Sequence, residues 1–157
     1  MEVLAVISYS TTYTLPTTPT VDAGGTALDL SSIAKGHAVD RVSGALSALG
    51  FGAHMVEVGG ETRVAGMGVS GPLWRIGVDD PIASAAPGST LAAVVELTNG
   101  AVATSGNYRS IVQAEGERYV HTMDPRVGAP VQGVVASATV VAPDCRTADA
   151  LATALMV

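Results

Sequence analysis

The sequence predicts an α+β fold: a mostly antiparallel sheet built from hairpins, with two packed helices, in a single domain over residues 1–157. Three observations carry that expectation. Eighteen glycines and eight prolines set many tight turns along a chain that is 48% hydrophobic. Short β-branched runs are separated by Gly-Gly, Asn-Gly and Asp-Pro, which punctuate hairpins rather than βαβ units. Only two stretches, beginning at Ser32 and Thr147, place apolar residues at helical spacing.

Taken in order, Met1 to Thr14 reads as a strand closed by Pro16 and Pro19, and Thr20 to Leu30 as a short strand broken at Gly24-Gly25. Ile33, Ala34, Ala38, Val42, Ala45, Leu46 and Leu49 then follow helical spacing, with Gly50 placed as a C-terminal cap. His54–Val58 and Glu61–Gly66 flank a Gly59-Gly60 turn. Leu73–Asp79 is a further strand, closed by Asp80-Pro81, and residues 82–90 form a loop. Thr98-Asn99-Gly100 predicts a hairpin between Leu91–Leu97 and Ala101–Thr104, because both central residues of such a turn must tolerate positive φ. A second hairpin joins Ile111–Ala114 to Arg118–Met123, a Pro-containing turn covers Asp124–Gly128, and Val134–Ala142 is a strand. Thr147 opens the last helix, Ala148–Val157.

Bulk composition excludes several classes. Charged residues are 14% of the chain and aromatics 4%, so a sizeable core is available and must be built from Val, Ala, Leu and Ile. A formal net charge of -6 with no basic stripe argues against nucleic-acid binding. The single cysteine, Cys145, removes disulfides and thiolate metal cages, and with no His-paired motif around it the thiol reads as buried and idle. Neither His37 nor His54 has metal-ligand spacing. No signal peptide, lipobox or membrane-spanning run is evident, and nothing indicates a compartment. The last helix ends on Leu155-Met156-Val157 without a cap, which predicts that the chain is a segment of something longer.

Several polar groups could carry chemistry. Asp29 to Asp40 places a carboxylate, two hydroxyls, Lys35 and Gly36 at a helix mouth, where small polar groups face a ligand or a turn. A cation in a first helical turn opposes the dipole, so Lys35 suggests an anionic partner, either a phosphate or the Asp29 carboxylate, or else a solvated lysine. Gly36 costs about 1 kcal/mol relative to Ala in a helix and hints at a close approach to the backbone. Asp149 and Thr153, four apart on the last helix, are hard oxygen donors of the kind Mg2+ accepts; equally, Asp149 could simply complement the helix dipole. Thr104-Ser105-Gly106 could form a turn whose amides cradle phosphate, or an ordinary solvated turn. His121 could be a general base or phosphate contact, or a strand histidine with no role.

In series, these segments resemble the ApbE family of FAD:protein FMN transferases. The matching segments are Asp29–Gly36, Val58–Glu61, Trp74–Pro81, Ala101–Gly106, His121–Pro130 and Ala148–Leu155, in family order from about Val21 onward. The resemblance implies an ApbE-like α+β fold, present here as a partial domain, with FAD and Mg2+ bound. It implies transfer of FMN from FAD to a Ser or Thr hydroxyl of an acceptor flavoprotein carrying D-x-x-[ST]-G-A-[ST], with release of AMP. By position, His121 would be the catalytic histidine, and Asp29, Lys35, Thr104, Ser105, Gly106 and Met123 would contact FAD. The Ser32 carbonyl, Asp149 and Thr153 would hold the metal. Two positions depart from the family pattern: Glu61 stands where Asp is usual, and Ala152 where some members carry a further acidic ligand. Asp40–Leu46 resembles the acceptor motif with Leu46 in place of its last hydroxyl, and reads as coincidence because Val42 and Leu46 lie on the apolar stripe. A non-catalytic FAD-binding protein and an inactive remnant stay open as alternatives.

Overall fold

The computed structural model describes residues 4–8, 29–81, 86, 88–107, 111–114, 117–131 and 135–157. Its elements are β1 (Leu4–Ser8), α1 (Ser31–Ala48), β2 (His54–Val58), β3 (Glu61–Ala65), β4 (Trp74–Asp79), β5 (Leu91–Leu97), β6 (Gly100–Gly106), β7 (Ile111–Ala114), β8 (Glu117–Val120), β9 (Met123–Asp124), β10 (Ala129–Pro130), β11 (Ser137–Ala142) and α2 (Cys145–Ala154). The expected strand over Met1–Thr14 is described only as β1. The one expected over Thr20–Leu30 lies outside the described residues, except Asp29 and Leu30, which are not strand.

The central sheet has the order β1-β11-β6-β3-β2. It is antiparallel apart from the parallel β1–β11 pair. Strand alternation sends Ala101, Ala103 and Ser105 of β6 toward the helices, together with Val140 and Ala142 of β11. Ala103, Val140 and Ala142 meet Ala148 and Ala152 of α2 in one buried cluster. Ala101 joins Val39 of α1, Val56 of β2 and Cys145 in a second. Small core residues let both helices sit close to the sheet. The Gly59-Gly60 turn between β2 and β3 is as expected, with φ of 62° and 101° at the two glycines, the geometry that matches strand twist.

Four expectations are corrected. The Asn-Gly segment does not close a hairpin, because β5 pairs with β4 while β6 pairs with β3 and β11. It turns the corner between two sheets, a task that asks for the same permissive backbone. Thr104–Gly106 is not a turn; it continues β6, paired with Ser137–Thr139 of β11. The last helix begins two residues before Thr147, capped by the Asp144 carboxylate, which accepts from the Thr147 N–H at 2.9 Å. Finally, the apolar stripe of α1 is not its buried face. Gly36, Val39 and Ser43 are buried, whereas Val42 is 47% and Leu49 75% exposed. The inner face is selected by close approach and ion pairing, which apolar spacing does not register. The Gly50 cap holds: Phe51 N donates to Leu46 O and Gly50 N to Ser47 O, both at 3.0 Å, a Schellman closure.

Candidate functional site

One cavity of about 660 Å3 gathers all ten residues singled out from the sequence. Asp29, Ser32 and Lys35 come from the start of α1, and Thr104, Ser105 and Gly106 from the end of β6. His121 and Met123 flank the step from β8 to β9, and Asp149 and Thr153 come from α2. Gly59, Gly60 and Asp79 add wall from the β2–β3 turn and the end of β4.

The floor is where α1 crosses α2. A Cβ on Gly36 would lie 2.4 Å from the Cys145 carbonyl oxygen and 2.8 Å from the Asp149 Cβ. Only a bare backbone permits this crossing, so the close approach hinted by the sequence is made by the second helix. The Gly36 N–H donates to Asp149 Oδ2 at 2.9 Å. Asp149 is only 3% exposed, and burial raises its pKa while the Gly36 amide and the Lys35 charge oppose that. Thr153 Oγ1 lies 3.1 Å from Ser105 Oγ, which orients the hydroxyl and leaves it lone-pair capacity. Asp149 sits in the second turn of α2, not the first, so dipole complementation does not account for it.

Among the described residues the carboxylate partner of Lys35 is Glu61, not Asp29. The Lys35 Nζ donates to Glu61 Oε1 at 2.7 Å, while Asp29 Oδ1 accepts from the Ser31 N–H at 2.8 Å at the mouth of α1. That bond holds the Asp29 carboxyl below its ordinary range. Glu61 is 2% exposed, and its Oε2 is buried without a hydrogen-bond partner among the other described residues. Desolvation raises its pKa, Lys35 lowers it by hydrogen bond and charge, and Asp149 raises it again by repulsion.

His121 and the half-exposed Met123 also line the cavity. Asp124 and Arg126 form a two-point ion pair at 2.8 and 2.7 Å, which holds Asp124 well below the usual carboxylate range. Arg126 Nη2 also donates to the Val157 carbonyl at 2.9 Å, tying this loop to the segment that follows α2.

The donor chemistry fits a hard dication. Among the described residues no group of three or more His, Cys, Asp or Glu converges on a metal position. What converges is a buried carboxylate, a hydroxyl and the main chain of the first α1 turn, all oxygen donors. Ala152 faces the core cluster under β6 and adds no ligand.

Residues missed in the sequence are Glu61, Asp40 and Arg126. Asp40 accepts from the Cys145 and Arg146 N–H groups, each at 2.9 Å, and from Arg63, so α1 caps the start of α2. Alternation in Glu61-Thr62-Arg63-Val64 held the available signal: Glu61 and Arg63 must share a face, and both face α1. Ser43, in the acceptor-like Asp40–Leu46 segment, is buried, with Oγ 2.8 Å from His54 Nε2. His54 Nδ1 meets the Phe51 carbonyl at 2.9 Å, so in the neutral ring the proton sits on Nδ1 and Nε2 accepts from Ser43. The hydroxyl is thereby turned inward.

The sequence model of the ApbE family matches residues 2–157. Similar curated proteins include the FAD:protein FMN transferase of Haemophilus influenzae, 42% identical over 130 residues that cover 83% of this chain and 37% of the relative. The FAD:protein FMN transferase of Treponema pallidum is 33% identical over 150 residues, covering 90% and 41%. Among solved structures, the ApbE protein of Thermotoga maritima superposes with a TM-score of 0.74 at 40% identity, covering 85% of this chain and 41% of that one. Flavin transferase ApbE from Vibrio cholerae gives 0.68 at 42%, covering 82% and 40%. The chain therefore spans 37% to 41% of the length of these relatives.

Proposed function

Because this chain belongs to the ApbE family, we propose that its cavity serves the transfer of FMN from FAD to a Ser or Thr hydroxyl of an acceptor flavoprotein. The observation that carries this reading is the convergence of residues from α1, β6, the β8–β9 step and α2 on one cavity of about 660 Å3. In the transfer, the acceptor oxygen bonds to the flavin-side phosphorus, the bond from that phosphorus to the bridging oxygen breaks, and AMP leaves with the electron pair. His121 takes the hydroxyl proton, a task suited to an imidazole. Lys35 faces the phosphates as a point charge, Asp29 orders the mouth, and Met123 offers an apolar contact to the flavin. Thr104, Ser105 and Gly106 line the pyrophosphate side as a strand end. Asp149, Thr153 and the Ser32 carbonyl would hold Mg2+, which when bound neutralises phosphate charge in a group transfer. The acceptor would present the D-x-x-[ST]-G-A-[ST] motif.

The test is incubation with FAD, Mg2+ and a protein carrying that motif, read by mass spectrometry for an FMN adduct. His121→Ala is expected to lower the rate of adduct formation by about 100-fold or more while FAD still binds. A wild-type chain that neither binds FAD nor forms the adduct overturns the reading. Adduct formation unchanged in His121→Ala removes the proton-transfer role and leaves the rest.

A further inference from the structure

Glu61 is the one strongly buried carboxylate of this region that the transfer reaction leaves without a task. Its Oε1 holds the Lys35 ammonium at 2.7 Å, and its Oε2 is buried with no hydrogen-bond partner among the other described residues. The two side chains lie beneath the Gly59 backbone: a Cβ there would sit 3.5 Å from Lys35 Cδ and 3.6 Å from Glu61 Oε2. Lys35 is 48% exposed and lines the cavity, whereas Glu61 stands behind it at 2%. The pair is therefore asymmetric. A rigid strand carboxylate grips one end of a long, flexible side chain whose ammonium has two further protons to donate.

We propose that Glu61 is a positioning residue, fixing the Lys35 ammonium at the cavity wall so that its remaining donors face an anionic phosphate group of the ligand. This rests on the reading of the cavity as a nucleotide site. A pair present only for stability would satisfy both carboxylate oxygens. The open Oε2 instead leaves Lys35 as the sole side-chain donor on Glu61 among the described residues, so the location of each is set by the other.

The test is FAD affinity by calorimetry with the full chain, with a thermal melt of each variant as control. Glu61→Gln is expected to weaken FAD binding about tenfold, the weight of one charge-assisted hydrogen bond. Lys35→Gln is expected to do the same, and the double variant to bind no worse than Lys35→Gln alone, because the two act as one unit. Lys35→Arg tests the idea independently of how Glu61 variants fold. Its planar fork can close on both Glu61 oxygens, so the melting temperature rises while FAD affinity falls. A purely structural pair would not split these readouts. Wild-type FAD affinity in Glu61→Gln or in Lys35→Arg, or additive losses in the double variant, overturns the proposal. Absence of FAD binding in the wild-type chain overturns the underlying nucleotide reading instead.

Discussion

Two carboxylates in the cavity region, Glu61 and Asp149, are almost wholly out of water, and each has its pKa raised by desolvation. The folded chain thus binds their protons more tightly than the unfolded chain does. Stability from these groups is largest below the unfolded values of 4.5 and 3.8 and is lost as pH rises through the raised folded ones. Asp29 and Asp124 act oppositely, since hydrogen bonds lower their pKa and their contribution is lost as pH falls. Metal-free melts across about pH 4 to 8 are expected to peak on the acid side of neutrality, and Asp149→Asn to flatten the decline toward pH 8. A melting temperature that climbs steadily to pH 8 contradicts this. At this scale the sequence was legible for Lys35 and Gly36, because each breaks a helix preference and so announces a partner. Glu61 breaks no local rule. Its importance depends on burial, which arises only when α1 covers β3.

The helix pair is the element on which the site depends. Gly36 and Asp149 are 113 residues apart in sequence and joined by a hydrogen bond. Gly36→Ala would drive a methyl group into the Cys145 carbonyl. It is expected to cost about 1–3 kcal/mol or more by overpacking, well beyond the gain in helix propensity, measured as a lower midpoint in urea. Asp40→Ala removes the acceptor of two α2 amides and of Arg63. A loss of about 2 kcal/mol is expected from the exposed cap and the stranded guanidinium, again by denaturant titration. Cys145, buried at the same crossing, has its thiol pushed up to about 12, first by desolvation and then by the neighbouring carboxylates. Alkylation at neutral pH is accordingly expected to be very slow in the native chain and fast in denaturant. Element existence was readable from turns and periodicity: β2, β3, β4 and β7 lie where the spacing put them, while the strand expected over Arg118–Met123 stops at Val120 and Met123 opens β9. Partnership was not. Nothing local to Thr98-Asn99-Gly100 distinguishes a hairpin from a corner between sheets, and the buried face of α1 is set by Arg63 and Glu61 on another strand.

At the scale of the whole molecule, the cavity is assembled from segments far apart in sequence, from Asp29 at the start of α1 to Thr153 of α2. The loop bearing His121 and Met123 is held to the segment after α2 by the Asp124–Arg126–Val157 contacts. Arg126→Met is expected to weaken FAD binding several-fold while leaving the melting temperature within about 1 °C, since Arg126 is a mostly exposed residue and exposed ion pairs contribute little. The crossing at Gly36 has one more consequence. Neither helix alone forms any floor for a ligand, so no partly folded form containing only the α1–β2–β3 half or only the β11–α2 half offers the binding surface. Occupancy is therefore linked to the complete native state: a ligand at one hundred times its Kd adds about 2.7 kcal/mol to global unfolding and nothing to intermediates. Native-state hydrogen exchange reads this directly. Saturating ligand is expected to slow the slowest-exchanging amides of both helices by the same factor, as though a clasp had been shut across the two helices.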